Sequence, residues 1–174
     1  TNVLFPGLQP TGGVSFWIVD SGIISGNNFS ENYGGIGLGS HSDNNLIVSN
    51  NIMNNEKGIG VYDSANNTII KNNFKNNTVQ VSAIESTSTN KWNDTLEGNY
   101  WSNYATMYPD AKEVDDSGTA DTPYVICANN TDNYPLMGPY DVNNAGAMPT
   151  EQQPPLAKEP TVSLWQFDEV EPNL

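Results

Sequence analysis

The chain has 174 residues, enough for one compact domain with extensions, and a lean 36% of them are apolar. Six Lys and Arg against 20 Asp and Glu leave a net charge of −14, which argues against nucleic acid or an anionic membrane as a partner. No apolar run reaches the ~18 residues of a membrane span, and the single cysteine, Cys127, rules out an intramolecular disulfide framework.

Residues 1–14 are rich in Gly and Pro, with Leu4-Phe5 as an apolar anchor. They read as an irregular lead-in that covers one open end of the fold or crosses to a neighbour. The N-terminus lacks a basic-then-apolar signal pattern, so either a signal has been removed or the chain is a fragment of a longer one. Ser15–Val19 reads as a first strand. Its run of apolar residues without polar alternation implies burial on both faces.

Residues 15–97 are organised by a repeat. Ile24, Asn27, Asn28, Phe29, Asn32 and Ile36 recur 23 positions later as Ile47, Asn50, Asn51, Ile52, Asn55 and Ile59. A further shift of 22 gives Ile69, Asn72, Asn73, Phe74, Asn77 and Val81. Self-similarity at a fixed period is the mark of a stacked repeat architecture. The apolar residues come in short β-branched or alternating runs, separated by Asn, Ser and Gly, which favour turns. About three short strands per period fit one coil of a parallel β-helix, each coil about 4.8 Å above the last. Aliphatic columns then fill the bore and asparagine columns stack at the corners. His41 and Asp63 occupy equivalent turns, and His41 reads as an exposed turn histidine. Trp92 lies about one period after Ile69 and is placed to plug the bore.

The units Asn45-Leu-Ile47, Asn50-Asn51-Ile52, Asn55 and Gly58-Ile59-Gly-Val61 resemble the repeat of the NosD-like (carbohydrate-binding and sugar-hydrolase) family. Further on, Trp92-Asn93, Gly98-Asn99-Tyr100-Trp101-Ser102-Asn103-Tyr104, Asp121-Thr122-Pro123-Tyr124 and Asp132-Asn133-Tyr134-Pro135-Leu136-Met137 resemble the segments that come after the repeats in archaeal cell-surface members. The resemblance implies an all-β fold: a short right-handed parallel β-helix of three to four coils, a loop-rich aromatic cap over 98–142 and an extended tail over 143–174.

Tyr100, Trp101 and Tyr104 in the cap can stack on sugar faces if exposed, or form the cap's own core if buried. Their place in the family motif favours the core. Asp115, Asp116, Ser117 and Asp121 stand where relatives carry an acidic glycine turn. Such oxygens can converge on Ca²⁺, the one cofactor suggested, or simply be solvated, and Ser117 replaces a family carboxylate. Asn28, Asn66, Asn76, Asn93 and Asn129 begin N-x-S/T sequons, candidate glycosylation sites in an extracellular protein. In the tail, a Pro-rich linker leads to a strand-like stretch whose Val162, Leu164, Trp165 and Phe167 can dock back along the chain's own β-helix or add a strand to a neighbour.

Catalysis by a parallel β-helix needs paired carboxylates or a basic residue beside the substrate. Only Asp43 and Asp63 approach one another on adjacent coils, so a non-catalytic role is expected. Copper needs soft or imidazole ligands, and His41, Cys127, Met53, Met107, Met137 and Met148 show no ligand spacing. Two functions remain. One is a cell-surface structural subunit that assembles with copies of itself into a layer, sheath or filament; the other is a carbohydrate-binding module for surface glycans.

Overall fold

The computed structural model describes residues 13–82 and 88–144. The described chain is almost wholly β. Its strands in order are β1 (Val14–Trp17), β2 (Ile23–Ser25), β3 (Asn28–Ser30), β4 (Gly34–Gly39), β5 (Leu46–Val48), β6 (Asn51–Met53), β7 (Lys57–Tyr62), β8 (Thr68–Ile70), β9 (Asn73–Lys75), β10 (Val79–Ser82) and β11 (Tyr100–Trp101). A one-turn helix, α1 (Tyr104–Met107), and a hairpin of β12 (Tyr124–Cys127) and β13 (Asn130–Asp132) come next.

The first eleven strands coil into a β-solenoid. A first sheet has the order β1-β4-β7-β10, a second β2-β5-β8 and a third β11-β9-β6-β3, all parallel. Three coils are complete. A fourth is begun by β10, a bridge from Thr68 to Lys91, and β11. The solenoid therefore runs past residue 97: Tyr100 and Trp101 are its last rung and pair with Asn73 and Phe74.

Corner chemistry explains why these short strands turn where they do. Three corners recur on successive rungs with a residue in the left-handed region: Ser21–Asn44–Asn66, Gly26–Ser49–Lys71 and Glu31–Asn54–Asn76. Asn and Gly tolerate that conformation, whereas for Glu31, Ser49 and Lys71 it costs roughly 1–2 kcal/mol each. The next residue at most of these corners is an inward-pointing asparagine that holds the corner closed. Backbone N–H and side-chain Nδ2 of Asn27 both donate to Oδ1 of Asn50, Asn50 donates likewise to Asn72, and Asn72 to Asn99. A second ladder runs Asn45–Asn67–Asn90 and a third Asn32–Asn55–Asn77. The spare amide hydrogens satisfy carbonyls of the rungs, as Asn72 does for Ile47 and Ile70. No buried side-chain N or O among the described residues lacks a partner.

Between the ladders lies the apolar bore of Ile24, Ile36, Leu38, Ile47, Ile52, Ile59, Val61, Ile69 and Phe74. It closes with aromatic rings. Phe74 stacks on Trp101 with centroids 4.4 Å apart, and Trp101 stacks on Tyr124 from the hairpin at 4.3 Å. Trp92 is buried beside them and donates its indole N–H to Asn130, the plugging role its spacing predicted.

One expectation fails in the first strand. It spans Val14–Trp17 and buries one face only. Phe16 packs on the core, but Trp17 is 59% exposed, and Ile18, in the left-handed region, is more exposed still. The first sheet has solvent on its outer side, so alternation sends Trp17 outward whatever its hydropathy.

The ladders set a stability prediction. Asn72→Ala strips the acceptor from two donors of Asn50 and the donor from two carbonyls, all buried, and should cost roughly 3 kcal/mol or more. Asn51→Ala, in the neighbouring half-buried column, should cost about 1 kcal/mol or less. Urea unfolding monitored by circular dichroism compares the two.

Candidate functional site

The outer face of the first sheet carries bare columns beside exposed aromatic rings. Ser15, Gly37, Gly60 and Ser82 align across its four strands as one outward column with almost no side chain. The adjacent outward column is Trp17, Gly39 and Tyr62. The Trp17 indole rests on Gly39: a Cβ there would lie 2.9 Å from Cε3 and Cζ3 of the ring. Tyr62, one rung on, is 55% exposed. On the other side, Gly34, Lys57 and Val79 align, and the Lys57 ammonium sits 4.8 Å from the centroid of the exposed Tyr33 ring. The result is a flat, carboxylate-free floor edged by exposed rings. Exposed rings gathered on one face, unlike apolar residues scattered singly, mark a candidate binding surface. Sequence reasoning missed it by assigning Trp17 to the interior. The usable signal was the glycine inside Ile36-Gly-Leu38 and Ile59-Gly-Val61, which clears the outer face while the flanking residues fill the bore.

The sugar-stacking candidates of the cap are in the wrong place for that role. Trp101 is 1% exposed and sandwiched between Phe74 and Tyr124. Tyr104 is buried, with its hydroxyl donating to the Thr122 carbonyl, and Tyr100 is half-buried in the last rung. Stacking within the bore consumes the ring faces a sugar would need. The cap centres instead on Asp132, which is 0% exposed. Its Oδ2 accepts the backbone N–H of Asn99 at 2.7 Å and the Trp101 indole N–H at 2.9 Å, and the Asn99 amide at longer range. Its Oδ1 accepts the Tyr134 N–H. Asp132 thus ends the first asparagine ladder. Burial drives its carboxyl up to about 6, against the lowering effect of those donors.

The remaining sequence candidates scatter. The Asp121 carboxylate accepts the Lys112 N–H and the Thr122 hydroxyl, while Ser117 pairs with Thr119 and Glu113 accepts the Gly118 N–H. Asp115 and Asp116 are exposed in left-handed turn positions. The structure does not bring Asp115, Asp116 and Asp121 together, and no three His, Cys, Asp or Glu side chains among the described residues converge on a common point. Asp43 accepts the Ala65 N–H, and Asp63 faces the exposed His41 imidazole at 3.4 Å, so the one carboxylate pair serves its turns. Of the sequon asparagines, Asn28, Asn66, Asn76 and Asn129 are exposed. Asn93 is engaged at both ends of its amide, donating to the Asp94 carbonyl and accepting from Asn133. Asn66, Asn93 and Asn129 border one open groove. Val162, Leu164, Trp165 and Phe167 lie outside the described residues, as do the lead-in before Gly13 and most of the tail.

Asp132 makes stability depend on pH in a defined direction. Between its ordinary value of 3.8 and about 6, the folded chain holds a proton that the unfolded chain has released. The contribution is complete below the ordinary value and is lost as pH rises through about 6, a loss of roughly 3 kcal/mol. Asp132→Asn keeps an oxygen for Asn99 and Trp101 but does not titrate. Urea titrations should show the wild-type chain losing roughly that amount relative to D132N between acid pH just below the ordinary carboxyl value and neutral pH. A constant difference across that range would mean that Asp132 does not ionise there.

Residues 8–106 match the model of a family described as periplasmic copper-binding protein (NosD). No curated protein and no solved structure matches the chain. Copper asks for imidazole, thiolate or thioether donors in one place. The chain has one histidine and one cysteine. The former stands on an exposed turn and the latter in the hairpin, its sulfur accepting from Asn130. Met53, Met107 and Met137 belong to a coil, a helix and a loop. These residues do not fit a copper centre, although the stacked coils and their asparagine ladders occupy the matched span. That match covers more than half of the chain, which therefore belongs to the NosD family.

Proposed function

We propose that this chain is a non-catalytic β-solenoid working outside the cytoplasm, and that the outer face of its first sheet binds carbohydrate. The observation that carries the reading is the Trp17–Gly39–Tyr62 column beside the Ser15–Gly37–Gly60–Ser82 floor. Sugar rings offer apolar C–H faces ringed by hydroxyls. Exposed aromatic faces bind the former, and a shallow floor of serine hydroxyls and peptide groups suits the latter. The periplasmic description of the family and the acidic charge support a place outside the cytoplasm. Among the described residues no helix is long and apolar enough to cross a membrane. The absence of any carboxylate from the three outward columns supports binding without hydrolysis, since glycoside cleavage needs an acid beside the bond.

Self-assembly is a second reading. It draws support from the first coil, whose β1, β2 and β3 are terminal strands of their sheets among the described residues. Strand edges pair readily with other chains. Light scattering on the full chain and on a chain lacking residues 150–174 tests it, with polymers expected only from the former.

Trp17→Ala should weaken retention on insoluble polysaccharide by about tenfold or more. Its unfolding free energy should stay within about 1 kcal/mol of wild type, because the ring is exposed. Retention that survives in both Trp17→Ala and Tyr62→Ala would remove the first sheet from consideration.

A further inference from the structure

We infer that the first sheet's ligand is a neutral, extended, β-linked glycan lying parallel to the solenoid axis; this rests on the reading of that sheet as a carbohydrate face. Three observations set the direction and the class.

The first is spacing. Trp17 and Tyr62 stand in one column two rungs apart, about 10 Å between their strand positions, and the indole leans over Gly39 on the rung between. The two rings therefore line one axial track within the span of two successive units of an extended pyranose chain. A straight β-1,4-linked glycan laid along that track keeps a ring face within reach of the indole and another within reach of the phenol. A coiling α-linked chain would leave the floor before reaching the second ring.

The second is Gly60. Glycine weakens a strand interior and usually marks a packing need or a close approach by another group. Packing does not demand it here. A Cβ would meet the Ser82 Oγ at 3.5 Å, an ordinary contact, and Gly60 is not among the residues of positive φ. Its bareness serves the outside: with Gly37 it keeps a trough open along the axis beside the aromatic column.

The third is charge. The one ionic group in the three outward columns, Lys57, is already held over Tyr33, and a chain of net charge −14 repels a polyuronate.

Isothermal titration of the full chain against cello- and chito-oligosaccharides, from disaccharide to hexasaccharide, tests the inference. Malto-oligosaccharides and oligogalacturonate serve as comparators. Affinity for at least one β-linked series should rise about tenfold or more once the chain is long enough to reach both rings. Tyr62→Ala should flatten that rise. Gly60→Leu should cut affinity for the longer members by a similar factor with its circular dichroism unchanged, and Gly60→Ala provides a smaller obstruction should leucine disturb the strand. Equal binding of α- and β-linked series, an affinity indifferent to length, or full binding by a folded Gly60→Leu variant would overturn the axial β-linked ligand and leave carbohydrate binding standing. Failure of every oligosaccharide and of insoluble polysaccharide to bind would overturn both.

Discussion

The asparagine ladder is the constraint on which the rest of the solenoid depends. A coil of 22 or 23 residues cannot bury its own apolar side chains, and its corners hold residues such as Glu31, Ser49 and Lys71 in a conformation they disfavour. Each ladder asparagine answers both problems. In Asn72, as in most of the others, the oxygen gathers two donors from the rung before and the amide hydrogens reach carbonyls of its own and a neighbouring rung, so each corner is fixed by the one beside it. Buried polar groups are tolerable only when satisfied, and among the described residues no buried side-chain N or O lacks a partner. The apolar bore depends on this frame, because corners in register put Ile47, Ile69 and their neighbours above one another.

The cap makes sense as a way of stopping that frame. A solenoid rung always leaves something for the next rung to satisfy. At the end of the bore the unfinished business is apolar, and Trp101, Tyr124 and Trp92 finish it with ring faces. At the corner it is a pair of N–H donors on Asn99, which meet the Asp132 carboxylate. Gly98 is required by this closure, since a Cβ there would collide with that carboxylate. The Lys71 ammonium reaches Asp94 and Glu97 at the same end, tying the last full coil to the segment that covers it.

The solenoid was legible because it is written as a period. Columns such as Ile24–Ile47–Ile69 and Asn27–Asn50–Asn72 name their own contacts once the offset is known. The ladder through Asn45, Asn67 and Asn90 was harder to see, because Gly22 stands in its first position. Asn99 falls 27 residues after Asn72, off the period, and so the last rung was taken for cap. The outer face of the first sheet reads differently in the sequence for another reason. Hydropathy says that Trp17 prefers burial, but only the number of layers says whether its side of the sheet has anything to be buried against. Trp101 and Tyr104 show the converse: of their two readings, sugar stacking or cap core, the motif favoured the core, and they are buried where aromatic residues after a repeat array seal the bore.

The ladders also have a direction. In every link the earlier asparagine donates its backbone N–H and the later one supplies the acceptor, and in all but the Asn32–Asn55 link the earlier side-chain amide donates as well. Among the described residues Asn27 and Asn32 stand first in two of the ladders, as donors. The far end presents donors and carries a carboxylate. The molecule is in this sense a vector with unlike poles. Lengthening it by a coil before β1 would extend the ladders in the sense in which they already run, whereas lengthening it after Asn99 would mean evicting Asp132 and rebuilding the seal. Variation in coil number is therefore expected to accumulate at one pole, with the sealed pole inherited as a unit.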